Sequence, residues 1–230
     1  MKLSIHQPQY LPWLSYFLKI EKSDNFVFLD NVNFQKNGLQ NRNKIKNSNG
    51  EFWLTVPILH NTGQKIIDVK INNKINWKKK HMNALKYSYQ KSPFFEKYFN
   101  EIIEIYDLNW YYLNDLNICL IEKILKWMEI KTIIKRSSEI NAEGISSDLI
   151  LNICLKIGAD EYISGTGGKN YLDKNKFQDH GVNILQAKPV VPNIYPQQFH
   201  KVGFNNSLSV IDLLFNCGNN WRSYLPTDES

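Results

Sequence analysis

Two short apolar runs near the start of the chain, Lys2–His6 (KLSIH) and Asn25–Asp30 (NFVFLD), bracket a stretch with helical spacing, and no other feature restricts the fold as much. Between them Leu11, Leu14, Phe17, Leu18 and Ile20 recur at the interval of one helix face, with Pro12 tolerated in the first turn. Strand, helix and strand in that order imply parallel pairing through a right-handed crossover. Gln7-Pro8 stops the first strand.

The alternation returns in the last third. Lys131–Lys135 reads as a strand, Ser146–Ile157 as a helix closed by Gly158, and Tyr162–Ser164 as a short strand. Tyr171–Asp179 reads as helical, Val182–Ala187 as a strand, and Ser207–Phe215 as a last helix ended by Asn216-Cys217-Gly218. The expected class is therefore α/β, a mostly parallel sheet flanked by helices. Three helical stretches form an insert at about 77–129: Trp77–Gln90, Pro93–Tyr106 with Ser92 as N-cap, and a third over 109–129. Phe34–Gly50 is polar, rich in Asn and weakly periodic, and reads as a functional loop. Phe52–Leu59 and Ile66–Ile71 are strand-like around a turn at Asn61-Thr62-Gly63, which predicts a hairpin. We expect one domain over 1–230.

With 43% hydrophobic and 22% charged residues, the 230-residue chain suits a folded globular protein. It has no apolar run long enough to span a membrane and no secretory leader, so a cytoplasmic place is expected. Cys119, Cys154 and Cys217 lie far apart, and the five histidines fall in no ligand spacing, so neither a disulfide framework nor a metal site is expected. The net charge, 28 − 22 = +6, is mild, and no nucleic-acid module is present. Nucleic acid is therefore not an expected partner. Lys78-Lys79-Lys80 reads as a solvated helix face.

Three polar clusters follow predicted strand carboxyl ends: His6-Gln7-Pro8-Gln9-Tyr10, Asp30-Asn31, and Ser164-Gly165-Thr166-Gly167-Gly168-Lys169 with Tyr171 beyond. In an open α/β sheet the ligand crevice lies outside those ends. His6 is the candidate acid or base, oriented by Asp30. The glycines at 165, 167 and 168 permit positive φ and let backbone N–H groups converge on an anion, with Ser164, Thr166 and Lys169 adding donors. The spacing matches neither a P-loop nor a dinucleotide fingerprint. Arg42, one of three arginines against 25 lysines, offers a fork for phosphate or carboxylate, with Lys36 as a point charge and Asn41 and Asn43 suited to hydroxyl-rich ligands. Tyr10 and Trp13 are candidates to stack on a base or sugar, and Lys80 with His81 to face the same rim.

The segments HQPQYLPWLSYFLKI (6–20), DNFVFLDNVNFQKNGLQNRNKI (24–45), FWLTVPI (52–58), Lys80-His81, YISGTGGKNYLD (162–173) and SVIDLLFNCG (209–218) together resemble the WbqC-like protein family, in family order. Leu39 and Ser15 depart from it, where the family often carries an aromatic residue and a glycine. The resemblance implies a part in making the sugars of O-antigen and related surface polysaccharides. It suggests transfer of an acyl or aminoacyl group, glycyl for example, to the amine of a nucleotide-linked amino sugar. Acyl-coenzyme A and ATP are the two candidates for activating the donor, no cofactor is fixed, and a homodimer is an open assembly. A second likeness is to the nucleotidylyltransferase superfamily. It rests on His6 between strand and helix, but Leu11-Pro12-Trp13 stands where the second histidine of that motif belongs. An ATP-dependent ligase or nucleotidylyltransferase-like enzyme is therefore the alternative.

Overall fold

The computed structural model describes residues 1–227, with the backbone alone for Lys169. In chain order its elements are β1 (Lys2–His6), α1 (Leu14–Glu21), β2 (Asn25–Phe28), β3 (Arg42–Asn47), β4 (Gly50–Thr55), β5 (Ile58–Leu59), β6 (Lys70–Ile71), α2 (Trp77–Tyr89), α3 (Phe95–Asp107), α4 (Leu113–Trp127), β7 (Ile133–Arg136), α5 (Ser137–Ile140), α6 (Ser146–Ile157), β8 (Glu161–Ser164), α7 (Lys174–Asp179), β9 (Asn183–Gln186) and α8 (Val210–Cys217). The chain divides into two compact units. The first comprises Met1–Pro8, Ser15–Val32 and Glu129–Pro189, and the second Gln9–Leu14, Asn33–Met128 and the chain from Val190 onward.

The first unit is an α/β layer structure. Its five-stranded sheet has the order β7-β2-β1-β8-β9, and every neighbour pair is parallel. Strands enclosed on both faces read as continuous apolar runs, and β2 (NFVF) is buried along its whole length. Side chains alternate across the sheet. Leu3, Ile5 and Val27 join the core with Leu149, Ile150, Ile153 and Cys154 of α6 and Phe177 of α7. Ser4, pointing the other way, meets Ser23 (Oγ to Oγ 2.8 Å) and the Lys19 carbonyl, and Phe26 meets Tyr16 (ring centroids 5.8 Å) on the α1 side. Gly158 closes α6 in the left-handed region (φ 76°).

The second unit holds the helical insert. In it α3 packs against α2, α4 and α8 around an aromatic core that includes Phe95, Phe99, Tyr98 and Phe215. The predicted loop over 34–50 is only half a loop, because Arg42–Asn47 pairs with Gly50–Thr55 as an antiparallel ribbon. Its pattern is hidden in sequence because Asn43 and Lys46 are buried by hydrogen bonding. Asn43 Nδ2 donates to the Leu11 carbonyl at 2.6 Å, and Lys46 Nζ to Gln197 Oε1 at 3.0 Å. The predicted hairpin over 52–71 shrinks to Ile58↔Ile71 and Leu59↔Lys70, and Ile66–Asp68 is a 3-10 turn. Helix α3 starts at Phe95, and the Ser92 hydroxyl bonds Asn216 Oδ1 (3.0 Å) where a cap was expected. Helix α7 starts at Lys174, capped by Asp173, after a 3-10 turn over Thr166–Asn170.

No helix among the described residues is long and apolar enough to cross a membrane. Helix α8 ends at Gly218 (φ 56°, ψ −135°), where an added Cβ would stand 2.5 to 2.7 Å from the Phe94 ring. Gly218→Ala therefore combines backbone strain with overpacking, expected to cost about 1–3 kcal/mol each. A lowered Tm in thermal denaturation checks it.

Candidate functional site

In chain order β1, β2 and β7 step to one side of the sheet, and β8 and β9 then fill the other side of β1. The order reverses between β1 and β8, the position where open α/β sheets leave a ligand crevice. The β1–β2 ladder runs to His6↔Phe28, but the β1–β8 ladder stops at Ser4↔Ile163. Past that point a cavity of about 200 Å³ opens, with Ile5, His6, Lys19, Ile150, Ser164 and Gly165 in its lining. Gln7, Leu29, Tyr162, Gly167, Gly168 and Tyr171 complete it. Larger hollows of about 410 Å³ beside Trp77 and Trp110, and about 420 Å³ beside Lys174 and Gln178, present no acid–base pair.

His6 ends β1. Its Nδ1 lies 3.1 Å from the Gln7 carbonyl, which can only accept, so Nδ1 carries the hydrogen and Nε2 the lone pair. The Tyr16 hydroxyl donates to the same carbonyl at 3.1 Å, and the Tyr16 ring stands edge-on to the imidazole at 4.8 Å. Burial, with the Lys19 cation second, pushes the His6 pKa down to about 3, so the ring is neutral at physiological pH.

Lys19 was not singled out by sequence reasoning. It sits on α1, 6% exposed, and its Nζ donates to the Ile5 carbonyl at 3.0 Å. The same Nζ lies 3.9 Å from where a Cβ on Gly165 would stand. Burial lowers its pKa from 10.5 to about 7. The available signal was a lysine amid the apolar residues of a short helix next to a strand carboxyl end.

The 164–171 turn differs in detail from its expected design. None of Gly165, Gly167 and Gly168 has positive φ. The Gly168 N–H is taken by the Gly165 carbonyl at 3.1 Å, so the amides do not all converge outward. Gly168 is required for space, because a Cβ there would lie 1.9 Å from Ser164 Oγ, whereas one on Gly167 meets nothing within 4 Å. Gln186 Nε2 pins the turn through the carbonyls of Ser164 (3.2 Å) and Gly165 (2.8 Å). Thr166 is exposed, and the Lys169 side chain lies outside what the structure describes.

Asp30 does not orient His6. Its Oδ1 accepts from Ser137 Oγ (2.9 Å) and Ser138 N–H (2.9 Å), and its Oδ2 from Ser138 Oγ (2.8 Å). This fully buried carboxylate fastens the end of β2 to the start of α5.

The remaining candidates belong to the second unit. Tyr10 and His81 are buried, so neither a stacking Tyr10 nor a rim-facing His81 is found. His81 Nε2–H donates to the Thr55 carbonyl (3.1 Å), leaving Nδ1 to accept from Tyr10 OH (2.8 Å), while Tyr106 OH bonds Tyr10 OH. Burial pushes the His81 pKa down to about 4. Asn43 is spent on the Leu11 carbonyl, and Asn41 Nδ2 on that of Val56 at 3.0 Å. The Arg42 guanidinium lies over the Trp53 ring, 4.5 Å from its centroid, and its Nη2 donates to the Asn37 carbonyl at 2.6 Å. Lys36 and Lys80 are exposed, Trp13 is half-buried, and Gln9 is buried with its Oε1 unpartnered among the described residues.

The model of the WbqC-like protein family matches residues 7–224. The chain belongs to that family. It is also 30% identical, over 230 residues and 97% of each chain, to Uncharacterized protein Rv1507c of Mycobacterium tuberculosis (strain ATCC 25618 / H37Rv). No solved structure matches it. The WbqC-like assignment and the α/β expectation thus hold together, and the cavity between β1 and β8 is the candidate site of this member.

Two outcomes check the site's construction. Gly168→Ala is expected to destabilise by about 1–3 kcal/mol, whereas Gly167→Ala leaves Tm nearly unchanged, as compared by thermal denaturation. Lys19 binds its proton more weakly when folded, so between pH 7 and 10.5 the unfolded chain holds more protons and stability rises with pH. Lys19→Met is therefore expected to raise Tm at pH 6, by roughly 2–4 °C per kcal/mol relieved, with the gain shrinking through that window.

Proposed function

We propose that this protein transfers an acyl or aminoacyl group, such as glycyl, to the amine of a nucleotide-linked amino sugar used in surface polysaccharide, with the β1–β8 cavity as the reaction site. One observation carries the reading: a neutral imidazole with its lone pair on Nε2 and a buried ammonium line the same small cavity at the sheet's switch point. Amide formation needs a proton acceptor for the attacking nitrogen and a positive group for the oxyanion.

Attack of the amine on the acyl carbon forms the C–N bond and moves the carbonyl π electrons to oxygen. The nitrogen becomes ammonium-like, far more acidic than the free amine, and a weak base such as His6 can take its proton. Lys19 faces the oxyanion. That pairing neutralises the charge that helps depress His6, so the imidazole gains basicity as the intermediate forms. Collapse breaks the bond to the leaving group, which receives the proton from His6. Within the second unit, Lys36 and Arg42 remain proposed anion ligands, on their charge.

An ATP-dependent ligase is the second reading. Lys19 favours it, because an ammonium suits a carboxylate, and a free carboxylate must be activated before it can form an amide. His6→Asn separates the base from the fold. In assays with acyl-coenzyme A and with free acid plus ATP, it is expected to lower kcat about 10²- to 10⁴-fold at unchanged Tm. Turnover near that of the unaltered protein in both arms removes His6 from the mechanism.

A further inference from the structure

Lys19 is the only charged side chain among the described residues lining the β1–β8 cavity. Among the described residues its Nζ makes one hydrogen bond, to the Ile5 carbonyl, and no carboxylate pairs with it. An ammonium has three donors, so two remain for a ligand. A buried cation without a counter-charge is poorly compensated, and the group that best satisfies it is an anion of equal and opposite charge.

Three features narrow that anion. One positive charge matches a monoanion, and among the described residues lining the cavity no second cation is present to hold a dianion. The volume, about 200 Å³, falls below the ~300–1,000 Å³ of ordinary metabolite sites, so the occupant is small. Ile5, Leu29 and Ile150 offer it an apolar wall, while Gly165 and Gly167 leave room at the turn.

We propose that the cavity is the subsite for the small-acid component of the reaction, a short-chain monocarboxylate held on the Lys19 ammonium. The inference rests on the cavity being the reaction site and names what enters it: the acid, not the sugar nucleotide. A free carboxylate and the tetrahedral oxyanion present the same single charge on the same carboxyl-derived oxygens, so the one ammonium serves both.

The test uses the full chain at pH 6, titrated with acetate and sulfate and followed by the backbone amide shifts of Ile5, Gly165 and Gly167. Acetate is expected to give saturable shifts at least tenfold tighter than sulfate, which is a dianion. Acetate affinity is expected to fall about tenfold from pH 6 to pH 8 as the ammonium deprotonates. The other ionisable groups lining the cavity keep one charge state over that range: His6 stays neutral, and Tyr162 and Tyr171 stay protonated. Lys19→Met and Lys19→Gln should both abolish the shifts, and His6→Asn should leave acetate affinity within about threefold. Acetate binding with unaltered affinity to either Lys19 variant, or sulfate binding as tightly as acetate, overturns the inference. The catalytic reading fails by a different result, full turnover in His6→Asn while acetate still binds.

Discussion

Parallel strands laid down by different excursions of a chain separate at their carboxyl ends. In this protein the parting of β1 from β8 beyond Ser4 and Ile163 leaves the Ile5 carbonyl to a side chain, Lys19 Nζ at 3.0 Å. A charged hydrogen bond contributes about 1.5–3 kcal/mol. Desolvating an ammonium costs several kcal/mol even after relaxation. The bond therefore does not offset the burial, and the difference shows as a pKa near 7. The cavity's chemistry follows from one cation placed where the sheet could not finish its own ladder.

The second unit uses similar residue types to a different end. Buried polar groups need hydrogen bonds, and here several of them fasten chain. Asn43 holds the Leu11 carbonyl, at a residue whose φ of 44° is unfavourable for a branched side chain. Asp212, fully buried, accepts from Tyr89 (2.7 Å), Tyr195 (2.7 Å) and Gln197 (2.9 Å), tying the segment after Val190 to α8. The Tyr106–Tyr10–His81 chain likewise joins the 9–14 segment to α2 and α3. A tyrosine or histidine with every polar atom spent on its own fold has little left for a ligand.

What could be read from the residues divides along the same line. The parallel sheet was legible because β1, β2, β8 and β9 are short, apolar and separated by helical spacing, and Gly158 marks its helix end by backbone geometry alone. Strand β3 was not, because it carries one aliphatic residue, Ile45, and buries Asn43 and Lys46 through partners far along the chain. Position pointed to His6 and the 164–168 turn, since a strand carboxyl end is defined by local sequence. The partners of Asp30 and the role of Lys19 depend on which strands are neighbours, and local pattern does not encode strand order. Gly168 was found for the wrong reason: its need is for space beside Ser164, not for a positive φ.

Charge state also bears on which chemistry the cavity can support. Two cations side by side would hold a dianion, and an imidazolium could not accept a proton. Burial and Lys19 prevent both by keeping His6 neutral, with Nδ1–H fixed on the Gln7 carbonyl and the lone pair on Nε2. The pair is then one donor of positive charge and one acceptor of protons, complementary to a carbon centre that gains negative charge on oxygen while its attacking atom loses a proton. Neutralising Lys19 removes one of the two causes of His6's low basicity. The two groups are thus coupled in the direction the proposed acyl transfer requires, pairing of Lys19 with an oxyanion making the imidazole a better base.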